Sequence, residues 1–147
     1  MRKSTRFPAA VHIMTMLTAG DDEYLSSDVI AASLDTNRVV VRRLIKALSE
    51  AGFVSSQAGV FGGTRLEVEA KDVTLLQIYR AVEEGSVFRF HSPHPRCPIA
   101  DCVTEDLQQV LQEAELAMEK KLASKTLHDV ARRGSKLMKQ FLEAKRG

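Results

Sequence analysis

The segment from Thr36 to Arg65 constrains the fold of this chain more than any other part of the sequence. It carries five arginine or lysine residues and one acidic residue, Glu50, although the formal net charge of the whole chain is only +2. Asn37 and Thr36 stand at the expected start of a helix, where either could cap it or bond a phosphate, and Gly52 can take the left-handed conformation just beyond a helix end. The sequence therefore predicts a basic helix over residues 38–51.

The predicted basic helix has two chemically different sides. At 100° per residue, the apolar side holds Val40, Leu44, Ala47 and Leu48. The other side holds Arg38, Val39, Arg42 and Lys46, with Arg43 at the border. Arginine suits guanine O6 and N7, and a valine can contact a thymine methyl group. Basic residues on a single helix can also be no more than its solvated face. The interpretation as a DNA-binding helix therefore depends on the neighbouring segments.

Two shorter helical patterns precede the basic helix, and a hairpin pattern follows it. The first repeats apolar residues at helical spacing, namely Phe7, Ala10, Val11, Met14 and Leu17. The second begins after a capping Ser26 or Ser27 and ends at a polar turn. Residues 53–57 and 64–68 have strand character and flank a glycine-bearing stretch, residues 58–63. Helix, turn, basic helix and glycine wing in this order favour DNA binding far more than any single part.

The predicted fold is mostly α with a small β-hairpin wing, a winged helix-turn-helix followed by a long C-terminal dimerisation helix. Glycines at the wing let the backbone approach a phosphate closely, and polar groups flank them. The predicted DNA-contacting residues of the turn and basic helix are Thr36, Asn37, Arg38, Val39, Arg42, Arg43 and Lys46. Those of the wing are Gln57, Gly59, Gly62, Gly63 and Arg65.

The second half of the chain predicts two further elements joined by a loop. Thr74 and Gln77 fit a capping box that opens a helix ending near Gly85. Residues 104–123 form a long amphipathic helix whose apolar stripe needs a partner surface. The predicted interface residues on that stripe are Leu107, Val110, Leu111, Ala114 and Met118. A last helical stretch follows, with a break predicted at Gly134. We expect a DNA-binding domain at 1–85, a loop at 86–103, and a dimerisation helix with helical tail at 104–147.

The loop contains a cluster of residues that can bind metals or react with oxidants. His91, His94, Cys97 and Cys102 have the spacing H-x2-H-x2-C-x4-C. One interpretation is a zinc or iron–sulfur site, although no cofactor is firmly implied. A second is a thiol switch, in which Arg96 helps to stabilise a thiolate. The third is an ordinary loop in which Cys97 is a small apolar group.

Several classes of protein are disfavoured by what the sequence contains. With 147 residues there is little room for a separate catalytic domain, and no GxSxG, P-loop, HExxH or GxGxxG motif occurs, so we expect no enzyme. We also expect no membrane partner and a cytoplasmic location, since no long apolar run or signal peptide is recognisable. A DNA regulator and a protein-contact module remain. The basic face of the predicted helix favours the regulator, because a contact module should present apolar anchors there.

The sequence resembles the Rrf2 family of bacterial transcription regulators over about residues 6–130. The resemblance is carried by the helix opening at 6–12, the turn and basic helix at 36–44, residues 51–54, the wing at 59–66 and the helix start at 73–83. It implies a homodimer whose long helix crosses to the partner and whose winged heads bind a dyad-symmetric operator, usually as a repressor. Members with an iron–sulfur cluster use three cysteines in the loop, and this chain has two.

Overall fold

Three helices form the N-terminal part of the fold in the computed structural model, which describes residues 4–147. They are α1 (Arg6–Thr18), α2 (Ser27–Leu34) and α3 (Arg38–Glu50). The Ser26 hydroxyl accepts from the backbone N–H of Val29 at 3.3 Å, and the Asn37 side chain accepts from that of Val40 at 3.1 Å. Among the predicted candidates, Ser26 and Asn37 are therefore the N-caps, and they place α2, the turn and α3 as a helix-turn-helix.

The wing is a two-stranded antiparallel hairpin attached to the segment that precedes α2. Strand β1 (Val54–Gln57) pairs with β2 (Gly63–Leu66). Thr64 is buried and exchanges two backbone hydrogen bonds with Leu25, of 2.8 and 2.9 Å. Gly63 has φ of +149°, and a Cβ there would lie 2.2 Å from the Leu25 carbonyl oxygen. Only glycine fits this position, so Gly63 allows the hairpin to dock against the helices.

Three helices complete the fold: α4 (Leu75–Val82), α5 (Ala100–Ala123) and α6 (Leu127–Arg146). The predicted capping box of α4 is confirmed between Thr74 and Gln77. The predicted start of α5 is wrong by four residues, because the helix begins directly after Ile99. Cys102 consequently lies in the first turn of α5 and not in the preceding loop.

The predicted helix break at Gly134 is also wrong, because α6 continues through this residue. Gly134 faces α1, and a Cβ there would lie 3.1 Å from the Thr15 methyl carbon. The glycine thus permits close packing of α6 against α1. Packing of this kind outweighs the roughly 1 kcal/mol that an interior glycine costs a helix.

The hydrophobic core lies among α1, α3, α4 and the start of α6. From α3 it receives Val41, Leu44, Ile45 and Leu48. The predicted apolar side of α3 is therefore partly wrong, since Val40 is 39% exposed and Ala47 is only partly buried. The buried side of α3 is shifted around the helix from the predicted one, towards Val41 and Ile45. The reason is that α3 contacts α1, α2, α4 and β1 at once, and these neighbours decide which side is covered.

Helix α5 packs much less closely on the rest of the chain. None of its residues is buried. Polar contacts fasten it: the Glu115 carboxylate accepts from the Ser86 hydroxyl at 3.0 Å and from the Val87 N–H at 2.7 Å, and Glu119 pairs with Arg80 at 3.2 Å. Within residues 4–147, no helix is both long and apolar enough to span a membrane.

Candidate nucleic-acid interface

An open groove of about 920 Å³ runs between α3 and the hairpin. We call it the wing groove. Its helical wall carries Arg38, Arg42 and Lys46, each one turn from the next along α3, and ends at Glu50 one turn further on. Gly59 and Gly62 contribute to the opposite wall. The groove therefore places three cations opposite a hairpin wall in which these two positions have no side chain.

The wing groove brings together more than half of the predicted DNA-contacting residues. Those that line it are Arg38, Arg42, Lys46, Gln57, Gly59, Gly62 and Gly63. Asn37 serves as the cap of α3, while Val39 is 55% exposed outside the groove. Thr36 and Arg43 also lie outside the groove lining. These residues lie near the start of α3 or on the side of α3 that faces away from the wing groove. A duplex would have to lie against that side of the helix to contact them.

Arg65 lies on the face of the hairpin that is directed away from the wing groove. Its guanidinium pairs with Glu67 at 3.1 Å and lies 4.9 Å from the centre of the Tyr24 ring. The hydrogen bond to Glu67 raises the pKa of Arg65 further, while hydrogen bonds from Ser55 and Arg65 lower the pKa of Glu67. The structure thus gives Arg65 a local partner outside the wing groove.

The sequence reasoning missed several polar residues that line the wing groove. Asp28 forms an ion pair with Arg38, with 2.5 Å between nitrogen and oxygen. Ser27, Ser49 and Ser56 add hydroxyl groups, which can donate to phosphate oxygens. Strand alternation could have suggested Ser56, because it pairs with the buried Thr64. The Asp28–Arg38 contact had no sequence signal, since it depends on the angle between two helices.

The predicted dimer stripe lies on α5 and is largely exposed in the single chain. Leu107 is 44% and Val110 59% exposed, Ala114 is exposed, and Leu111 and Met118 are half-buried. Val103, at 47% exposure, extends the stripe by one turn and was missed because α5 was expected to begin later. A 24-residue helix is about 36 Å long. The stripe is long enough for extended pairing with another helix.

The histidine and cysteine residues of the loop do not assemble into a metal-ligand group. Cys97 is half-buried and its N–H donates to the His94 carbonyl at 2.9 Å, whereas Cys102 is exposed on α5. The His94 ring nitrogen Nδ1 accepts from the Arg96 N–H at 3.1 Å. Among residues 4–147, no three His, Cys, Asp or Glu side chains come together as metal ligands. The loop as folded here does not fit a zinc ion or an iron–sulfur cluster, each of which takes about four ligands.

A helix-turn-helix with a basic third helix beside a glycine-rich hairpin defines a winged helix-turn-helix DNA-binding protein. The sequence pattern of the Rrf2 family, described as an iron-dependent transcriptional regulator, matches residues 3–133. The chain belongs to the Rrf2 family. It is accordingly a DNA-binding transcription regulator and not an enzyme.

Individual relatives agree with this assignment. The chain is 40% identical over 129 residues to YwnA of Bacillus subtilis strain 168, whose name describes an HTH-type transcriptional regulator; the match covers 86% of this chain and 95% of YwnA. A solved structure described as a DNA-binding protein is 38% identical, with a TM-score of 0.69 over 86% of this chain and 98% of that one. Oxidized CymR of Staphylococcus aureus has a TM-score of 0.68 at 23% identity, covering 89% and 96% of the two chains, and shows the shared fold.

Proposed function

We propose that the protein is a sequence-specific repressor that binds an inverted-repeat operator as a homodimer. The observation that carries this proposal is the wing groove, which combines a cationic helix wall with a glycine wall. A protein-contact module should present apolar anchors at this place, whereas the exposed helical wall carries three cations and one carboxylate, that of Glu50.

The two walls suit different parts of a duplex. The start of α3 can enter a major groove, which is about 12 Å wide, and present arginine to guanine edges. The flanking sugar–phosphate strand then lies in the wing groove. There Lys46 and the serine hydroxyls contact phosphate oxygens, and the wing glycines let backbone N–H groups approach the strand. Base contacts by arginine supply the sequence preference, and the remaining contacts set the position of the duplex.

The homodimer is proposed from the apolar stripe of α5. A helix with no buried residue gains little from packing on its own chain, and isolated helices draw little stability from propensity alone. Pairing of two α5 helices covers Leu107, Val110 and Ala114. It also relates two winged heads by a two-fold axis, and a two-fold protein matches an inverted repeat.

Repression follows if the bound dimer excludes RNA polymerase from an overlapping promoter. We place this function in the cytoplasm, where the bacterial chromosome is accessible. For the effector, we propose oxidation of two thiols, that of Cys97, which is half-buried in the loop, and that of Cys102, which is exposed in the first turn of α5. It predicts that a peroxide changes operator affinity in the wild type and not in a Cys97→Ser, Cys102→Ser double variant.

Selection from a random duplex library tests the proposed function. The purified full chain is used at about 150 mM salt, where weak attraction to the DNA backbone is screened. Arg42→Ala is selected in parallel. The proposal predicts an inverted-repeat motif for the wild type and a relaxed base position for the variant. Absence of any enriched motif would contradict it and favour the protein-contact module.

A further inference from the structure

The tip of the wing is apolar and almost fully exposed to solvent. Val60 is 95% and Phe61 93% exposed, the highest values among the exposed large hydrophobic residues of the described chain. Scattered apolar residues are common on protein surfaces, but two adjacent ones at the far end of a projecting hairpin contact none of the chain's own core. The tip therefore has its apolar surface directed away from the protein.

The backbone of the tip holds these two side chains outward. The Gly62 N–H donates to the Gly59 carbonyl at 3.1 Å, which closes a four-residue turn with Val60 and Phe61 at its centre. A Cβ on Gly62 would lie only 2.0 Å from the Gln57 carbonyl oxygen. The backbone at Gly62 passes so close to Gln57 that only glycine fits there. The local sequence therefore fixes this turn, which presents Phe61 at its apex.

The tip also lies beside the proposed path of the DNA. Val60 lines the wing groove together with Arg42, whereas Phe61 is not part of that lining. If a sugar–phosphate strand occupies the wing groove and α3 lies in the major groove, the groove on the other side of that strand is the minor groove. Phe61 is then the side chain of the wing that adjoins the minor groove.

Charge cannot explain a DNA contact at the tip. Residues 58–62 contain no Lys, Arg, Asp, Glu or His. An uncharged apolar tip gains nothing from counterion release, which drives contacts to phosphate. It can act by inserting an apolar group between base pairs, a mode in which phenylalanine partly unstacks a base step and bends the duplex.

We propose that Phe61 inserts into the minor groove next to each half-site and makes the protein sensitive to how easily that base step deforms. This inference rests on the proposed function, because it needs α3 in the adjacent major groove. The favoured steps are the flexible pyrimidine–purine ones, TA and CA/TG, since they unstack most readily. The expected result is a sequence preference at positions that no hydrogen-bonding side chain contacts.

Parallel selections from one random duplex library test the inference. The proteins are the wild type, Phe61→Ala, Phe61→Leu and the control Phe141→Ala, which removes a half-exposed phenylalanine from α6. We expect all four to enrich the same inverted repeat, and we expect the preference for flexible steps beside each half-site to disappear only in Phe61→Ala. Leucine keeps an apolar wedge and should retain most of the preference.

A second measurement uses selected duplexes that carry 2-aminopurine at the adjoining step. Unstacking by the wild type should raise the fluorescence, and Phe61→Ala should not. Replacing the flexible step by a G·C step should weaken wild-type binding about 5- to 10-fold and leave Phe61→Ala unchanged. If Phe61→Ala keeps the wild-type preference and fluorescence, the inference is overturned while the proposed function stands. If the wild type enriches no duplex, both are overturned.

Discussion

Removal of the Arg42 side chain is the sharpest local test of how α3 binds DNA. Arg42 lies in the middle of the cationic wall, between Arg38 and Lys46. In the described part of the chain, Arg38 is engaged by Asp28, whereas no ion pair involves Arg42. A contact between Arg42 and DNA would therefore require no ion pair within the protein to break. We expect Arg42→Ala to weaken operator binding more than Arg38→Ala does.

The magnitude depends on what Arg42 contacts. A bidentate contact to guanine is worth about 1–3 kcal/mol, so its loss should raise the dissociation constant roughly 5- to 160-fold and relax one base position. A phosphate contact should instead weaken binding to all sequences alike and reduce the salt slope of log K by about 0.9. Arg38→Ala should reduce the binding free energy by less. Arg38 must give up its ion pair with Asp28 before it contacts DNA, and an exposed pair of this kind contributes about 0–1 kcal/mol in the unbound protein.

Fluorescence anisotropy titrations at several salt concentrations provide both quantities. Arg132→Ala is the matched control, since it removes the same charge from an exposed site on α6. The control should bind as the wild type does. An Arg42→Ala titration that matches the wild type in affinity and in salt slope would refute the placement of DNA in the wing groove.

Three further predictions concern assembly and stability. Val110→Asp should convert the dimer to monomers, because dimer formation would bury an unpaired charge in the stripe; an intact dimer in sedimentation equilibrium would remove α5 from the interface. Leu127→Ala should lower the free energy of unfolding by about 2–5 kcal/mol in urea titrations, since Leu127 is fully buried, and a loss below 1 kcal/mol would contradict its place in the core. Hydrogen bonds from the backbone and hydroxyl of Thr126 lower the pKa of Asp129. The stability from this depressed pKa is present above the unfolded-state value of about 4 and is lost as the pH falls through the folded-state pKa. As the pH is lowered from 6 to 2, the melting temperature should thus fall more steeply for the wild type than for Asp129→Asn. Parallel curves of melting temperature against pH would show that the Asp129 cap does not contribute to this pH dependence.

The starts of α2, α3 and α4 and the wing could be predicted because their signals are local. Asn37 and Thr74 act on backbone groups three residues away, and the glycines of residues 58–63 mark the turn of the hairpin. Such signals depend on residues close together in the sequence and little on the packing of the rest of the chain. The order of these local elements was sufficient to indicate the winged helix-turn-helix, and the sequence motifs within them carried the resemblance to the Rrf2 family.

Several features that sequence reasoning missed depend on contacts between elements that are distant in the sequence. Gly134 indicated a break, yet α6 continues because α1 packs closely against it. Val40 was assigned to the buried side of α3, but the core covers Val41 instead. For both helices the local pattern allowed two arrangements, and tertiary packing selected one of them. Arg65 differs, because alternation from the buried Thr64 directs it to the other face of the hairpin, and its contact with DNA stays a prediction.

The candidate site shows the same division. The cations of the wing groove could be predicted because charge is visible in sequence, whereas the Asp28–Arg38 pair could not. The exposed tip at Val60 and Phe61 was also missed. Both residues lie in the glycine-bearing stretch predicted between the strands, and only the structure shows that the Gly59–Gly62 turn presents their side chains to solvent.

Hydroxyl-radical footprinting on a selected duplex tests most directly the claim that two winged heads bind one operator as a homodimer. The account predicts two protected patches, related by a dyad and separated by one helical turn or a small multiple of it on one face of the duplex. Val110→Asp should lose both patches together at the same protein concentration. A single patch, or two patches without dyad symmetry, would contradict the dimeric regulator.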